Sequence, residues 1–171
     1  MPGDEQKALA VSIRLVEKDD AALMQLVSLM EEMQAHYDVP CPTRAEIVSR
    51  VRERPQGAEF LIAEQDESVV GFCAFSAIFP GPGLKPGLFL KELYVGGAYR
   101  SQGIGRLLMA ALAGLAHQRG LSRIDWTADA QDGKLLRFYD DIGGVAKPDK
   151  LFYRLDGEAF EQLASSRSEG N

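Results

Sequence analysis

Two arginines and two glycines stand close together in the segment 99–108, YRSQGIGRLL. The segment follows the apolar run LFLKELYV, which is typical of a β-strand, and precedes an apolar-periodic stretch that is typical of a helix. Gly103 and Gly105 fall in the first turn of this predicted helix, where backbone N–H groups and the helix dipole favour an anion. Arg100 and Arg106 can add charge-assisted hydrogen bonds. The pattern therefore predicts a site for a diphosphate group.

The spacing excludes two familiar phosphate-binding motifs. A Walker motif needs Gly-Lys followed by Ser or Thr, and a dinucleotide fingerprint needs a third glycine where this chain has Leu108. The pattern that remains is Arg100-x-x-Gly103-x-Gly105. A second segment, FYDDIGG at 138–144, lies one strand and the start of one helix further along the chain.

Together these segments resemble the acetyl-CoA signature and the later Phe-Tyr-x-x-x-Gly element of the GNAT superfamily of N-acetyltransferases. The order of predicted elements from residue 12 to residue 155 is also similar to that superfamily. The resemblance implies an α/β fold with a mixed, mostly antiparallel sheet whose central strands splay apart, flanked by helices. It also implies acetyl-CoA as co-substrate, with no metal.

The resemblance further implies which residues hold acetyl-CoA. Backbone groups of the strand before the signature, at Leu93, Tyr94 and Val95, are expected to pair with the pantetheine arm. The diphosphate is expected on the turn that follows, and the aromatic residue before Tyr139 is assigned to the same cofactor site. The residues assigned to the cofactor in the turn and before Tyr139 are Arg100, Ser101, Gln102, Gly103, Ile104, Gly105, Arg106 and Phe138.

Three groups are candidates for the chemistry of acetyl transfer. Tyr139 matches the superfamily's tyrosine, whose phenol can donate a proton to the departing CoA thiolate. Glu92 is the only carboxylate in the predicted central strand, which makes it the candidate general base, acting directly or through water. A backbone N–H near Val95 is the candidate oxyanion donor. The alternatives are an aromatic core residue for Tyr139 and an ion pair with Lys91 for Glu92.

The acceptor site is less defined in the sequence. His36, Tyr37 and Asp38 end the first predicted helix, which lines the acceptor pocket in the superfamily, so they are candidate substrate contacts. The proline-rich loop PGPGLKPG at 80–87 is expected to form a stiff wall over that pocket. The polyamine-acetylating members tend to carry paired acids in the strand before the signature, whereas this chain reads Lys91-Glu92.

Composition restricts the function further. A length of 171 residues predicts one domain, and a net charge of -6 argues against a nucleic-acid binder while it suits a cationic substrate. The sequence predicts no membrane span and no secretory signal, so we expect a cytoplasmic protein. Cys41 and Cys73 lack metal-like spacing and are interpreted as structural. A homodimer is possible from the resemblance.

Hydrophobic periodicity and turn signals predict the order strand, two helices, three strands, helix, strand, helix, strand. The first helix is expected to start near Asp19, and Thr43 with Glu46 has the form of a capping box that opens the second. The segment 150–156, KLFYRLD, is predicted as a closing strand, and residues 165–171 as a disordered tail.

The sequence thus favours an acetyl-CoA-dependent N-acetyltransferase that acts on a primary amine of a small metabolite, such as a polyamine or an amino acid, by direct attack in a ternary complex. Two alternatives stay open. One is acetylation of a protein N-terminus or lysine, and the other is an acetyl-CoA sensor that does not turn over its ligand.

Overall fold

The computed structural model describes residues 10–166, which fall into two compact units, one up to Trp126 and one from Thr127. The strands of the first unit are β1 (Ser12–Leu15), β2 (Ala58–Gln65), β3 (Ser68–Ile78), β4 (Gly87–Val95) and β5 (Ile124–Trp126). Its helices are α1 (Leu23–His36), α2 (Arg44–Arg52) and α3 (Ile104–Gln118). The second unit contains helices α4 (Gly133–Asp141) and α5 (Gly157–Ser165).

The five strands form one sheet in the order β1-β2-β3-β4-β5. Every neighbouring pair is antiparallel except β4 and β5, which run parallel. The parallel ladder ends at the pair Leu90–Trp126, whereas β4 continues to Val95. The expected mixed, mostly antiparallel sheet is confirmed, and the pairing of β4 with β5 stops in the middle of β4.

Helix α1 begins at Leu23 and not near Asp19, where the sequence analysis placed its start. The reason is the side chain of Asp20, which accepts a hydrogen bond from the Ala22 N–H at 2.9 Å. The Arg14 guanidinium also donates to this carboxylate and holds the pKa of Asp20 well below its usual range. The ionised carboxylate keeps the backbone ahead of α1 in a turn.

Helix α2 begins with the predicted capping box. The Thr43 side chain accepts from the Glu46 N–H, and the Glu46 carboxylate accepts from the Thr43 N–H at 2.8 Å. Ile47 and Val51 form the buried face, which packs beside α1. The helix ends at Arg52, with Glu53 as its C-cap. It cannot continue through Arg54, because this residue precedes Pro55 and therefore disfavours the helical conformation.

A β-bulge interrupts β4 at Lys91. Ala74 of β3 pairs with Glu92, but the next β3 residue, Phe75, pairs with Leu90. Paired residues share a face of the sheet, and successive residues of β3 point to opposite faces. Glu92 and Leu90 therefore lie on opposite faces, although regular alternation would place them on the same one.

The face that carries Glu92 is the one covered by α1 and α2. Phe72 and Tyr94 are paired on this face and pack in one cluster with Leu26 of α1. Ala74 follows Phe72 by two residues on β3 and so shares its face. The bulge thus turns the Glu92 carboxylate towards the helices that precede β2 in the chain.

Helix α3 packs against the opposite face of the sheet at Gly71. A Cβ atom at this position would lie 3.1 Å from the Tyr94 carbonyl oxygen and 3.3 Å from side-chain carbons of Ile104 and Leu108. A glycine here lets the first turns of α3 approach the sheet closely. This contact positions the amino end of α3 beside the end of β4.

The second unit differs from expectation in its last part. Asp132 caps α4 by accepting from the N–H groups of Lys134 and Leu135 at 3.1 and 3.0 Å, and the helix lies where the sequence placed it. The predicted closing strand at 150–156 is wrong, since residues 151–156 have no regular secondary structure. Alternation alone does not make a strand, because the backbone also needs a partner strand.

The predicted disordered tail is also wrong at its start. Ser165 is the last residue of α5, a helix that the sequence analysis did not predict. Residues 167–171 lie outside the described residues.

Candidate active site

The turn between β4 and α3 has the backbone of an anion site. Ser101 and Gly103 both have left-handed conformations, with φ angles of 62° and 80°. No side chain caps α3, and the Leu107 N–H donates to the Gly103 carbonyl at 3.0 Å. The N–H groups of residues 104 and 105 lie ahead of that hydrogen bond, in the first turn of the helix, where backbone N–H groups have no acceptor within the helix. These groups fit a diphosphate.

Two arginines flank this turn, as the sequence predicted. The Arg100 Nε donates to the Val95 carbonyl at 3.2 Å, and its guanidinium carbon lies 5.3 Å from the centre of the Tyr94 ring. Arg106 stands in the first turn of α3, and its side chain is exposed. Both positive charges lie next to the uncapped helix end, which adds to its attraction for an anion.

Beyond Leu90, β4 is no longer paired with β5, so the β4–β5 ladder does not use the backbone groups on that edge of β4. The Gly96 N–H donates to the Val70 carbonyl of β3 at 2.9 Å. Backbone groups alternate in direction along a strand, so those of Val95 point away from β3. This is where the sequence analysis expected the pantetheine arm and the oxyanion donor.

Glu92 lies just past the last pair between β4 and β5. Its carboxylate is one-third exposed and accepts from the Lys91 Nζ at 3.1 Å. The ion pair that formed the alternative interpretation of Glu92 is therefore present. It leaves the carboxylate in the wall of a cleft, so the pair and a role as base are compatible.

The cleft has a volume of about 260 Å³ and is lined mainly by apolar side chains. This is slightly below the roughly 300–1,000 Å³ that is usual for small-molecule sites. The lining residues come from α1, α2, the loop between them and strands β2 to β4: Met30, Met33, Gln34, Pro42, Ile47, Arg50, Val51, Phe60, Phe72, Ala74 and Glu92.

The predicted acceptor residues lie beside this cleft and are not among its lining residues. His36 is the last residue of α1 and is exposed, with its ring 5.1 Å from that of Tyr37 and 6.0 Å from that of Tyr94. Asp38 follows with a left-handed backbone, φ 52°. The loop 80–87 also contributes no lining residue, so the expected wall over the pocket is not found.

A larger cleft of about 400 Å³ lies at the other end of β2. Arg14 in its wall is held by Asp20 and Glu64, which accept at 2.9 and 2.8 Å. These ion pairs join β1, β2 and the start of α1, and they satisfy the charges that a ligand would need. We therefore assign this cleft a structural role.

Glu32 was missed by the sequence analysis. Its Oε1 accepts from the Gly97 N–H at 2.7 Å and from the Tyr94 phenol at 3.0 Å. Burial of this phenol and the hydrogen bond to Glu32 raise the pKa of Tyr94, which keeps it a neutral donor. One carboxylate of α1 thus fixes the chain at the entry to the turn between β4 and α3. Helical spacing shows Glu32 only as a surface acid, so the sequence carried no signal for this contact.

We expect Glu32→Ala to raise the KM for acetyl-CoA about tenfold with a smaller change in kcat. The two hydrogen bonds end on a charged acceptor, and a factor of ten corresponds to about 1.4 kcal/mol, the lower end for such bonds. Steady-state kinetics with acetyl-CoA varied measures this effect.

Two variants control this experiment. In Glu32→Gln the amide oxygen can accept both hydrogen bonds, so the KM should stay near that of the wild type. Glu31→Ala removes the neighbouring acid, which pairs with Arg44 and does not contact the turn. A rise in KM for Glu31→Ala equal to that for Glu32→Ala would contradict the positioning role.

The second unit carries Phe138 and Tyr139 in α4. Both side chains are half-buried, and their ring centres are 5.2 Å apart. The Tyr139 carbonyl accepts from the Gly144 N–H at 2.8 Å, which closes the helix where the glycines were predicted to end it. The local structure of the FYDDIGG segment is therefore a capped helix end.

Several other features limit the chemistry of the described residues. Burial raises the pKa of the Cys73 thiol to about 12, so this cysteine is not a nucleophile at neutral pH. Within residues 10–166, no group of three or more His, Cys, Asp or Glu side chains is arranged to hold a metal ion. No helix in the same range is long and apolar enough to cross a membrane.

Comparison with known proteins agrees with this geometry. The profile of the acetyltransferase (GNAT) family matches residues 26–143. An L-ornithine N5-acetyltransferase of Arabidopsis thaliana is 28% identical over 112 residues, which are 65% of this chain and 49% of that protein. A thialysine N-epsilon-acetyltransferase of Caenorhabditis elegans is 30% identical over 80 residues, which are 45% of this chain and 50% of the relative. The chain spans about half the length of these curated relatives.

Solved structures share the fold over most of the chain. An integron cassette protein from the mobile metagenome of V. cholerae superposes with a TM-score of 0.81 at 27% identity, covering 91% of this chain and 98% of that one. An aminoglycoside N-acetyltransferase, AAC(6')-Iy, in complex with CoA has a TM-score of 0.72 at 17% identity, covering 89% of this chain and 99% of that one. The second likeness shows the fold alone.

Proposed function

We propose that this chain, which belongs to the acetyltransferase (GNAT) family, transfers an acetyl group from acetyl-CoA to the primary amine of a small metabolite. The proposal rests on one observation, which is that two features lie close together on β4. The uncapped turn at its end suits a diphosphate, and Glu92 stands in a small, mainly apolar cleft on the same strand.

Acetyl-CoA, when bound, supplies the acetyl group as a thioester. The turn around Gly103 and the arginines beside it hold the diphosphate, while the backbone of Leu93 to Val95 orients the pantetheine arm. The Val95 N–H donates to the carbonyl oxygen as negative charge develops there. The backbone groups and the arginines bind and orient acetyl-CoA, and none of them transfers a proton.

The amine must lose a proton before or during its attack. Glu92 takes this proton directly or through a water molecule, and its place in the cleft wall brings the carboxylate to the acceptor. Tyr139 donates a proton to the leaving sulfur; this role comes from the match of Phe138-Tyr139 to the family element. We expect the acetyl group to pass directly to the amine in a ternary complex, and burial makes the Cys73 thiol unsuited to act as an acyl carrier.

The acceptor class is proposed from the cleft and from the relatives. A volume of about 260 Å³ suits a metabolite better than a folded protein segment. The named relatives acetylate ornithine at N5 and thialysine at N-epsilon, so they modify the amine at the end of a side chain. A small molecule with a terminal primary amine is the acceptor that these two observations support.

Amine-dependent release of CoA tests this function. Acetyl-CoA is supplied with polyamines, diamino acids, aminoglycosides and short peptides in turn, CoA is detected through its thiol, and hydrolysis without amine is subtracted. We expect release with small amines. Release with peptides alone would favour the protein acetyltransferase, and tight acetyl-CoA binding without release for any amine would favour the sensor.

We also propose that the chain forms a homodimer. The segment 151–156 exposes large apolar side chains, with 66% of Phe152 and 77% of Leu151 accessible. Such exposure is typical of a surface covered by another chain. Light scattering gives the mass in solution, and a monomer at micromolar concentration would contradict the proposal.

A further inference from the structure

We propose that Arg50 binds a carboxylate of the acceptor, and that the acceptor is therefore an amino acid with a terminal primary amine and not a diamine or polyamine. The inference rests on the proposed function, because it places the acceptor in the cleft that contains Glu92. It adds a substrate class and the residue that selects it.

The charges in the cleft wall define the kind of ligand. Among the lining residues only Gln34, Arg50 and Glu92 carry polar side chains, and only the last two are charged. Opposite charges in an otherwise apolar cleft suit a ligand with a cation at one end, an anion at the other and methylene groups between them. An α-amino acid with a terminal amine supplies this anion as its carboxylate, which lies next to the α-ammonium group at the end opposite the reacting amine.

The exposed fractions of the Glu92 and Arg50 side chains indicate where each charge lies along the cleft. Phe72 is 1% exposed and lies at the base, while the Glu92 side chain is 34% exposed. The Arg50 side chain is 65% exposed and so stands at the mouth. The reacting amine is expected inside, near Glu92, and the carboxylate outside, at Arg50.

The guanidinium of Arg50 has capacity for a ligand. Its nearest acid is Glu46, whose Oε1 is 3.7 Å from the Arg50 Nη2, beyond hydrogen-bond distance. The other oxygen of Glu46 accepts from the Thr43 N–H and hydroxyl, both at 2.8 Å, so the helix cap holds this carboxylate. An incoming carboxylate can therefore form the bidentate pair that arginine favours.

Arg54, which lies just after α2, differs from Arg50 in its contacts. Its guanidinium donates to the carbonyl oxygens of Ala58, Val51 and Val16 at 2.8 to 3.1 Å. Arg54 thus holds the backbone together and has a structural role. Arg50 makes no such backbone contact among the hydrogen bonds of the described residues, and its side chain reaches the cleft.

A diamine would place an ammonium group near the Arg50 guanidinium with no carboxylate to pair with it, whereas the carboxylate of an amino acid lies between these like charges and can pair with the guanidinium. L-Ornithine and 1,4-diaminobutane differ only by the carboxylate, so they form a matched pair of acceptors. We expect wild-type protein to prefer ornithine. In Arg50→Gln the kcat/KM for ornithine should fall about tenfold while that for diaminobutane stays equal or rises.

Arg52→Gln is the control, because Arg52 carries the same charge on the same helix but does not line the cleft and contacts Asp19 at 3.9 Å. It should keep the wild-type preference. Binding of both acceptors to the protein with CoA present is measured in parallel by calorimetry, which does not depend on turnover.

The outcomes separate the two proposals. Binding that prefers ornithine and loses this preference in Arg50→Gln, without any CoA release, would support the role of Arg50 and overturn the proposed reaction. Turnover of amines with no change of preference in Arg50→Gln, or with equal changes in both variants, would overturn the role of Arg50 and leave the reaction standing. Failure of ornithine to bind would also overturn it.

Discussion

Replacing Glu92 by glutamine is expected to lower kcat at neutral pH by roughly 10² to 10⁴, the usual contribution of a general base. Glutamine keeps the size of the side chain in the cleft wall but cannot take the proton of the incoming ammonium group. The lost rate should return in part as pH rises, because a growing fraction of the amine is already neutral. The measurement is CoA release at saturating acceptor across the pH range.

Lys91→Gln is the matched control for this experiment. It removes the partner that lies 3.1 Å from the Glu92 carboxylate but leaves the carboxylate itself. A small effect of Lys91→Gln beside a large effect of Glu92→Gln separates base catalysis from loss of an ion pair. If Glu92→Gln stays within a factor of a few of the wild-type rate at every pH, Glu92 is not the base.

Replacing Tyr139 by phenylalanine is expected to reduce kcat by a similar factor, roughly 10² to 10⁴, if its phenol protonates the leaving thiolate. Phenylalanine keeps the ring that packs 5.2 Å from Phe138, so the helix should remain folded. The loss should shrink with an acyl donor whose thiol has a lower pKa, because such a thiolate departs without a proton. Kinetics with two acyl donors measures this difference.

Tyr153→Phe controls for the loss of a phenol in the same unit, since Tyr153 belongs to the segment 151–156, which is proposed to contact a second copy of the chain and has no part in the chemistry. It should leave kcat unchanged. Thermal unfolding of both variants shows whether the fold is intact. An equal loss with both acyl donors in Tyr139→Phe would mean that the tyrosine positions the site and does not act as the acid.

Local sequence predicted the parts of the site that are close together in the chain. The turn around Gly103, the helix that follows it and the capping box of Thr43 and Glu46 are all found where the pattern placed them. Each depends on hydrogen bonds between residues a few positions apart. Such bonds are visible as spacing, and the family resemblance predicts which anion the turn would bind.

Contacts between distant segments could not be predicted in this way. Glu32 reaches Gly97 across 65 residues, and no spacing rule connects them. Arg50 reaches the cleft of Glu92 only because α2 packs over β2 and β3. Which residues of α1 line the cleft is also a property of the fold: they are Met30, Met33 and Gln34, which precede the predicted acceptor residues at the end of the helix.

The amino-acid sequence by itself determined the order of the elements up to α4, the glycine turn before α3 and the family to which the chain belongs. Tertiary structure decided which face Glu92 occupies, because the bulge at Lys91 reverses the alternation of β4 and depends on how β4 pairs with β3. It also decided against the strand predicted at 150–156. A strand is defined by its partner, and a partner is a property of the folded chain and not of the segment.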